Sequence, residues 1–177
     1  MRREPAVSIP AEHTDRTFGF LVHDVSRLIK RRFERRARKT GLPITRRQAA
    51  VVLYVARNEG VSQAEVATWL DLEPIALVRM LDKLQEEGLV ERRAHPTDRR
   101  VRTLWLASGA ETVVDRILDI NQAIREESFA GLAPGTRDAM IAALGSIKDN
   151  LTLQEEAAAE EHAAASPAFA GASLSGD

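Results

Sequence analysis

Apolar side chains in the first third of the chain recur every three or four residues, the spacing that gives a helix one apolar face. They predict an amphipathic helix over residues 15–39, which residues 40–43 end with a glycine and a proline. Thr45 and Gln48 have the spacing of a capping box, in which each side chain satisfies a backbone amide of the other residue. A second helix is therefore expected from Thr45 to about Arg57.

The next segment has the pattern of two short helices joined by a turn. Ser62 and Glu65 have the spacing of another capping box, which opens a helix that ends near Leu70. After a break at residues 71–73, Pro74 suits a first helical position because a backbone N–H has no partner there in any case. The apolar stripe of the second helix consists of Leu77, Met80, Leu81 and Leu84, and Gly88 follows as the expected C-terminal cap. Two short helices joined by a three-residue turn predict a helix-turn-helix.

The segment after this motif has a different pattern. Residues 89–94 and 101–107 are rich in β-branched and apolar side chains, and the proline and aspartate between them favour a turn, so they predict a β-hairpin. Ser108 and Glu111 predict a third capping box at the start of a long helix, and a last helix follows a break at residues 132–135. We therefore predict a mainly α fold with a small β-hairpin wing, a winged helix-turn-helix flanked by long helices.

Composition excludes several classes of function. The chain of 177 residues has no cysteine, which excludes thiol catalysis, disulfide bonds and metal sites ligated by cysteine. The four histidines, at positions 13, 23, 95 and 162, are not spaced as metal ligands, so we expect neither a metal nor a cofactor. The sequence contains no Ser/His/Asp grouping, paired acid cluster, dinucleotide-binding fingerprint or P-loop, and we expect that it is not an enzyme.

Two sequence features bear on localisation. The longest apolar run, residues 49–56, is too short to cross a bilayer. The first residues are not followed by the apolar segment of a signal peptide. We therefore expect a cytoplasmic protein that does not bind a membrane.

The net charge of −1 conceals a strong asymmetry along the chain. Residues 1–60 contain 14 Lys/Arg and 6 Asp/Glu, a net charge of +8, whereas residues 107–177 contain 4 and 12, a net charge of −8. Such a division indicates a polyanionic partner at one end of the molecule. The alternative is that the charged helix faces are simply solvated.

The second helix of a helix-turn-helix enters the major groove of DNA, and its N-terminal residues face the base edges. The side chains at its start and opposite the apolar stripe are Glu73, Pro74, Ile75, Ala76, Arg79 and Lys83. Arg79 has the donors to bind guanine O6 and N7, and Ala76 can contact a thymine methyl group. The alternative is that Arg79 is an ordinary solvated helix residue.

Other basic residues lie where phosphates and the minor groove of DNA are contacted. Asp98, Arg99 and Arg100 occupy the hairpin turn, from which an arginine can enter a narrow minor groove. Asp98 either fixes a neighbouring arginine or bonds to its own backbone and fixes the turn; the alternative is an ordinary surface ion pair. Arg46 and Arg47 lie in the first turn of the second helix, where the helix dipole favours a phosphate.

Residues from about 18 to 153 resemble the MarR family of winged-helix regulators, and most closely its SlyA-like members. The resemblance is strongest over residues 70–106, which contain a Gly-Leu-Val-x-Arg strand at 88–92 and an Asp-x-Arg wing at 98–100. It implies a homodimer with interlocking terminal helices and a recognition helix at 74–87. It also implies that Arg100 reads the minor groove, with Arg99 as the second candidate.

The same resemblance implies a ligand cleft between the dimer helices and the winged-helix core, which often accepts aromatic carboxylates. Its walls would come from the first, second and fifth helices. Ala49 stands where a large aromatic residue is usual, so either a pocket is enlarged or neighbouring side chains repack into the space. Arg16, His23 and Arg27 are the residues expected to meet the acidic group of a ligand. Because a thiol sensor is excluded, a small molecule is the expected effector.

The sequence therefore predicts a dimeric, sequence-specific DNA-binding transcriptional regulator, a repressor that a small aromatic or acidic ligand releases from a pseudopalindromic operator. The alternatives are a nucleoid-type architectural DNA-binding protein without a specific operator and a winged helix used only for protein–protein contact. The predicted organisation is a flexible arm (1–14), an N-terminal dimerisation helix (15–44), a winged helix-turn-helix DNA-binding domain (45–107), C-terminal dimerisation helices (108–161) and a disordered tail (162–177).

Overall fold

This computed structural model describes residues 17–42, 44–98 and 100–165, which contain six α-helices and three short β-strands. In chain order the elements are α1 (Phe18–Lys39), α2 (Arg46–Arg57), β1 (Val61–Ser62), α3 (Gln63–Leu70), α4 (Pro74–Glu86), β2 (Val90–Ala94), β3 (Arg102–Leu106), α5 (Glu111–Phe129) and α6 (Thr136–Ala165). The predicted mainly α fold with a small β wing is confirmed. The chain divides into two units, described separately: the first ends at Ser128 and the second begins at Phe129.

Two of the predicted capping boxes form as expected. Thr45 Oγ1 accepts a hydrogen bond from the Gln48 amide at 3.2 Å, and Gln48 Oε1 accepts one from the Thr45 amide at 2.9 Å. Ser62 Oγ accepts from the Glu65 amide at 3.2 Å, and Glu65 Oε2 accepts from the Ser62 amide at 2.8 Å. Each box satisfies two amides that would otherwise lack a helical partner, so these caps set where α2 and α3 begin.

The third capping box, predicted at Ser108 and Glu111, is wrong. The helix begins at Glu111, and the amides of Val113 and Val114 both donate to the carbonyl of Ala110, each at 3.0 Å. Ala110 therefore occupies the N-cap position, because the N-cap carbonyl accepts the first intrahelical bond. Ser108 lies two residues before it, in a turn made by backbone hydrogen bonds.

The β-strands form one antiparallel sheet in the order β1-β3-β2. In the predicted hairpin, Val90 lies opposite Leu106 and Ala94 lies opposite Arg102. The third strand, β1, was not predicted; its Val61 lies opposite Leu104 on the other edge of β3. A strand of two residues is too short to display the alternation by which strands are recognised in sequence.

Apolar side chains from α1–α5 and the sheet form the core of the first unit. The largest fully buried ones include Phe33, Leu77, Leu81, Leu84, Leu104 and Ile117. Burial of a side chain of this size contributes about 1.5–3 kcal/mol relative to its exposed state. Three leucines of the stripe predicted for α4 are in this set, which confirms the face that α4 turns inward.

The C-terminal half of α1 is joined to α5 by polar contacts as well as by the core. The Glu127 carboxylate accepts from Arg32 at 2.9 Å and also from Arg36. Arg116 donates to the backbone carbonyl of Thr40, which follows the end of α1. These contacts position α1 beside the winged helix.

α6 belongs to the second unit and is 30 residues long. Its apolar side chains at Ile141, Leu144 and Leu151 are exposed on the single chain. The helix continues to Ala165, past the predicted start of the tail at 162. The predicted arm (1–14) and the remainder of the predicted tail lie outside the described residues.

Candidate nucleic-acid interface

The turn between α3 and α4 gives the helix-turn-helix its shape. Asp71 has a φ of 49°, in the left-handed region, and its amide donates to the Thr68 carbonyl at 3.2 Å. The Leu72 amide then donates to the Ala67 carbonyl at 3.0 Å, which completes the end of α3. Pro74 begins α4 as predicted. The second helix of the motif therefore starts within four residues of the end of the first.

α4 presents one exposed face along its length. The residues predicted to contact DNA from this helix, Glu73, Pro74, Ala76, Arg79 and Lys83, are all exposed. Among the ion pairs of the described residues, only one involves this set: Lys83 Nζ lies 3.8 Å from Glu87 Oε1. The geometry thus leaves the Arg79 guanidinium on an open helix face, opposite the buried leucines.

Arg92 links α4 to the wing, a contact that we did not predict. It lies on β2 with only 21% of its side chain exposed, and its Nη1 donates to Asp82 Oδ1 at 2.6 Å. Its Nη2 donates to the Val78 carbonyl at 3.0 Å. Arg92 therefore positions α4 relative to the sheet. The only sequence signal was its place in the Gly-Leu-Val-x-Arg strand.

The wing turn is organised by Asp98. Its Oδ1 accepts a hydrogen bond from the Arg100 amide at 2.9 Å, so of the two roles predicted for Asp98 the structure has the backbone bond that fixes the turn. His95 Nδ1 lies 3.3 Å from the Asp98 amide on the other side. Arg100 is exposed at this turn, and Arg99 lies outside the described residues.

The aromatic side chain of Trp105 on β3 packs against the neighbouring strand β2 of the wing. The Arg93 guanidinium lies 4.7 Å from the centre of the Trp105 ring and also contacts Glu91 at 2.9 Å. Trp105 Nε1 donates to Thr103 Oγ1 at 3.0 Å, and Thr103 donates to the Arg93 carbonyl at 3.2 Å. These bonds connect β2 and β3 beside the turn and stiffen the hairpin that carries Arg100.

Arg46 and Arg47 are exposed in the first turn of α2, directly after its capping box. The positive end of the helix dipole and the two guanidinium groups favour an anion at the same place. Together with the exposed face of α4 and the wing turn, they provide cationic or hydrogen-bonding groups in each of the positions expected of a DNA-binding winged helix.

Two cavities border α2. One, of about 420 Å³, is lined by residues that include Ala49, Tyr54, Arg57 and Trp69. The other, of about 540 Å³, is lined by Lys30, Arg46, Arg47, Ala50, Trp69 and Met80, among others. The rings of Tyr54 and Trp69 are stacked with their centres 4.3 Å apart. Both cavities therefore combine an aromatic surface with cationic side chains.

The residues predicted to bind a ligand are not brought together. Ala49 borders the first cavity but is only 2% exposed, and Arg16 lies outside the described residues. His23 and Arg27 line neither cavity, and Arg27 contacts Asp24 at 2.9 Å.

Arg27 does not line the second cavity because of its angular position around α1. The α1 residues that line the second cavity are Ser26, Lys30 and Glu34, four positions apart, and Arg27 is rotated by about 100° from that row. The cleft walls predicted from the first, second and fifth helices also omitted α3, which contributes Trp69 and Leu70 to both cavities.

Within the described ranges, no three His, Asp or Glu side chains are grouped as a metal site requires. Over the same ranges, none of the helices is long and apolar enough to span a membrane.

Comparison with known proteins finds similarity to one family. Residues 42–101 match the model of the MarR family. The crystal structure of MarR is 23% identical, covers 81% of this chain and 98% of its own, and superposes with a TM-score of 0.74. The transcriptional repressor CouR, solved bound to a 23-mer DNA duplex, is 26% identical over 75% of this chain and 92% of its own, with a TM-score of 0.68. The regulator SlyA is 18% identical over 77% and 94%, with a TM-score of 0.67.

Proposed function

We propose that this protein is a dimeric repressor of transcription that an aromatic acid releases from its operator. Residues 42–101 match the MarR-family model, and the fold is similar to that of MarR. MarR-family proteins are transcription regulators and not enzymes. The observation that carries the proposal is the exposed face of α4, with Arg79 opposite the buried leucines and Arg92 fixing the helix to the wing. The DNA complex of CouR lends support by analogy.

Each group of basic residues has a different expected role in DNA binding. Arg79 reads a guanine from the major groove, so Arg79→Ala should cost about 1–3 kcal/mol and relax the preference at one position per half-site. Arg46 and Arg47 contact phosphates, so their loss should weaken binding evenly across sequences and reduce the salt dependence. Loss of Arg100 should weaken binding most where the minor groove is narrow.

The test is a set of binding isotherms on operator variants at several salt concentrations. Arg125→Ala, which removes an exposed arginine from α5, is the matched control and should change neither preference nor salt slope. Footprinting on genomic DNA separates the two candidate functions. Protection of one pseudopalindrome supports a repressor, and uniform protection supports an architectural protein. The assignment of Arg79 fails if Arg79→Ala keeps the parental sequence preference.

Exposed apolar side chains on both units support the dimer. Phe18, Leu21 and Val25 on α1 are each more than half exposed, as are Ile141 and Leu151 on α6. Burial of apolar surface contributes about 25 cal/mol of favourable free energy for each Å² removed from water. In a symmetric dimer, a second copy of the chain covers this surface. We expect a dimeric mass at micromolar concentration and half-sites about 10 bp apart. A monomeric mass contradicts this part of the proposal.

The cavity beside Trp69 supports a site for an aromatic acid, with Lys30, Arg46 and Arg47 in place of the residues first predicted. Two of these cations are also the candidate phosphate contacts. A bound carboxylate and a DNA phosphate would therefore compete for the same guanidinium groups. Such competition gives the ligand a higher affinity for the free protein than for the DNA complex, which release requires.

Ala50 offers a sharper test than Ala49, because a large residue at the buried Ala49 would overpack the core. Ala50 is half-buried and lines both cavities. With 2-naphthoate as the probe, DNA release and quenching of tryptophan fluorescence should occur for the parent and be lost in Ala50→Phe. Ala64→Phe, at an exposed position of α3, is the control. Equal release from Ala50→Phe and the parent would place the ligand elsewhere.

A further inference from the structure

Ile75, in the first turn of α4, is 68% exposed, more than any other large apolar side chain that the structure describes. The neighbouring Val78 is 40% exposed, while Leu77 and Leu81 are buried on the opposite side. β-branched residues are restricted in a helix and are poorer helix formers than leucine or alanine. Neither the helix nor the core therefore accounts for an isoleucine at this position.

Ile75 shares a helix face with Arg79, because residues four positions apart lie above one another. The first six residues of α4 are Pro-Ile-Ala-Leu-Val-Arg, so the arginine is their only side chain with hydrogen-bond donors. An aliphatic side chain beside it cannot read bases by hydrogen bonding. The base-edge feature that it can recognise in the major groove is the C5 methyl group of thymine.

We propose that Ile75 reads a thymine methyl group in each half-site, next to the base pair that Arg79 contacts. The inference rests on the proposed function. Four residues advance a helix by about 6 Å, and successive base pairs are about 3.4 Å apart, so the thymine lies within about two base pairs of the Arg79 contact. Val78 borders the same apolar surface. The exposed cations Arg79 and Lys83 on α4 make DNA a more suitable occupant of this face than an apolar protein surface.

The experiment replaces each operator thymine in turn by deoxyuridine, which removes the methyl group and keeps the base pairing. For the parent protein, affinity should fall about four-fold at one or two thymines per half-site, the effect of one buried methyl group. Ile75→Ala should weaken binding to the thymine operator. The variant protein should then bind the thymine operator and the corresponding deoxyuridine operator with equal affinity. Leu118→Ala, which removes an exposed aliphatic side chain from α5, should retain the parental response.

Several results would overturn the inference. One is a parent that binds specifically but is indifferent to every deoxyuridine, which would leave the proposed function intact. Another is an Ile75→Ala protein that loses affinity equally for thymine and deoxyuridine operators. A lower oligomeric mass for Ile75→Ala would assign the surface to protein contact. Absence of specific DNA binding by the parent would remove both this inference and the proposed function. Because Ile75 is exposed, Ile75→Ala should unfold at the parental temperature, which excludes misfolding as the cause.

Discussion

Replacing Arg92 by methionine tests whether the position of the recognition helix depends on one side chain of the wing. Arg92 is the residue of β2 that donates both to the Asp82 carboxylate, at 2.6 Å, and to the Val78 carbonyl, at 3.0 Å. Methionine keeps much of the apolar stem and removes the guanidinium. The substitution therefore separates the polar link to α4 from the packing of the side chain.

The expected loss of stability is modest because its contributions oppose one another. The Asp82 side chain is 50% exposed, so its ion pair contributes about 0.5 kcal/mol. The bond to the Val78 carbonyl is charge-assisted and contributes about 1.5 kcal/mol. Arg92 Nε, however, is buried without a hydrogen-bond partner among the described residues, and its removal returns about 1 kcal/mol. The free energy of unfolding should therefore fall by about 1 kcal/mol.

Urea unfolding and operator binding measure the two consequences. Affinity for the operator should fall several-fold, because α4 loses its fixed position over the wing. Arg93→Met is the matched control. Its guanidinium contacts Glu91 on the same strand and the Trp105 ring on β3, and makes no bond to α4 in the described structure, so operator preference should be kept. A double-mutant cycle with Asp82→Ala should give a coupling energy of about 0.5 kcal/mol. Strict additivity, or equal effects of Arg92→Met and Arg93→Met on operator binding, would refute the reasoning.

Three further substitutions test the wing and a cap. Gly60→Ala should lower the free energy of unfolding, measured in urea, by about 1–2 kcal/mol, because Gly60 has a φ of +86° and an added Cβ would lie 3.3 Å from Trp105. An unchanged midpoint of urea unfolding would contradict this geometry. Hydrogen bonds from the Ser62 side chain and backbone lower the pKa of Glu65 from its ordinary value of 4.5. The Glu65 carboxylate therefore stabilises the fold fully at pH values above 4.5, and this stabilisation is lost as the pH falls through the lowered pKa. Glu65→Gln should therefore show a smaller fall in stability during acid titration, and parallel titration curves would contradict the cap. Asp98→Ala removes the bond to the Arg100 amide and should weaken operator binding with a change in stability below about 0.5 kcal/mol, whereas Asp98→Asn retains an acceptor and should bind better than Asp98→Ala.

The sequence by itself determined the features that depend on neighbours within about four positions. The bounds of α1–α4 follow from apolar spacing, from Pro74 and from the capping boxes at Thr45 and Ser62, and each is confirmed within a few residues. The exposed face of α4 was predictable for the same reason, since the helical period places Arg79 opposite the leucines. The box at Ser108 failed because a spacing alone does not specify which carbonyl accepts the first helical bond.

Only the tertiary structure decided the contacts between elements distant in sequence. The strand β1 exists because Val61 meets Leu104 across the sheet, and its two residues have no pattern of their own. Arg92 was visible as a motif residue, but its contact with α4 depends on how the sheet packs against that helix. Which cationic side chains line the cavities likewise depends on the face that α1 turns towards α2. Lys30 lines the second cavity, and Arg27 does not. Local periodicity defines a helix face but not its partner, because the partner is selected by the packing of the whole core.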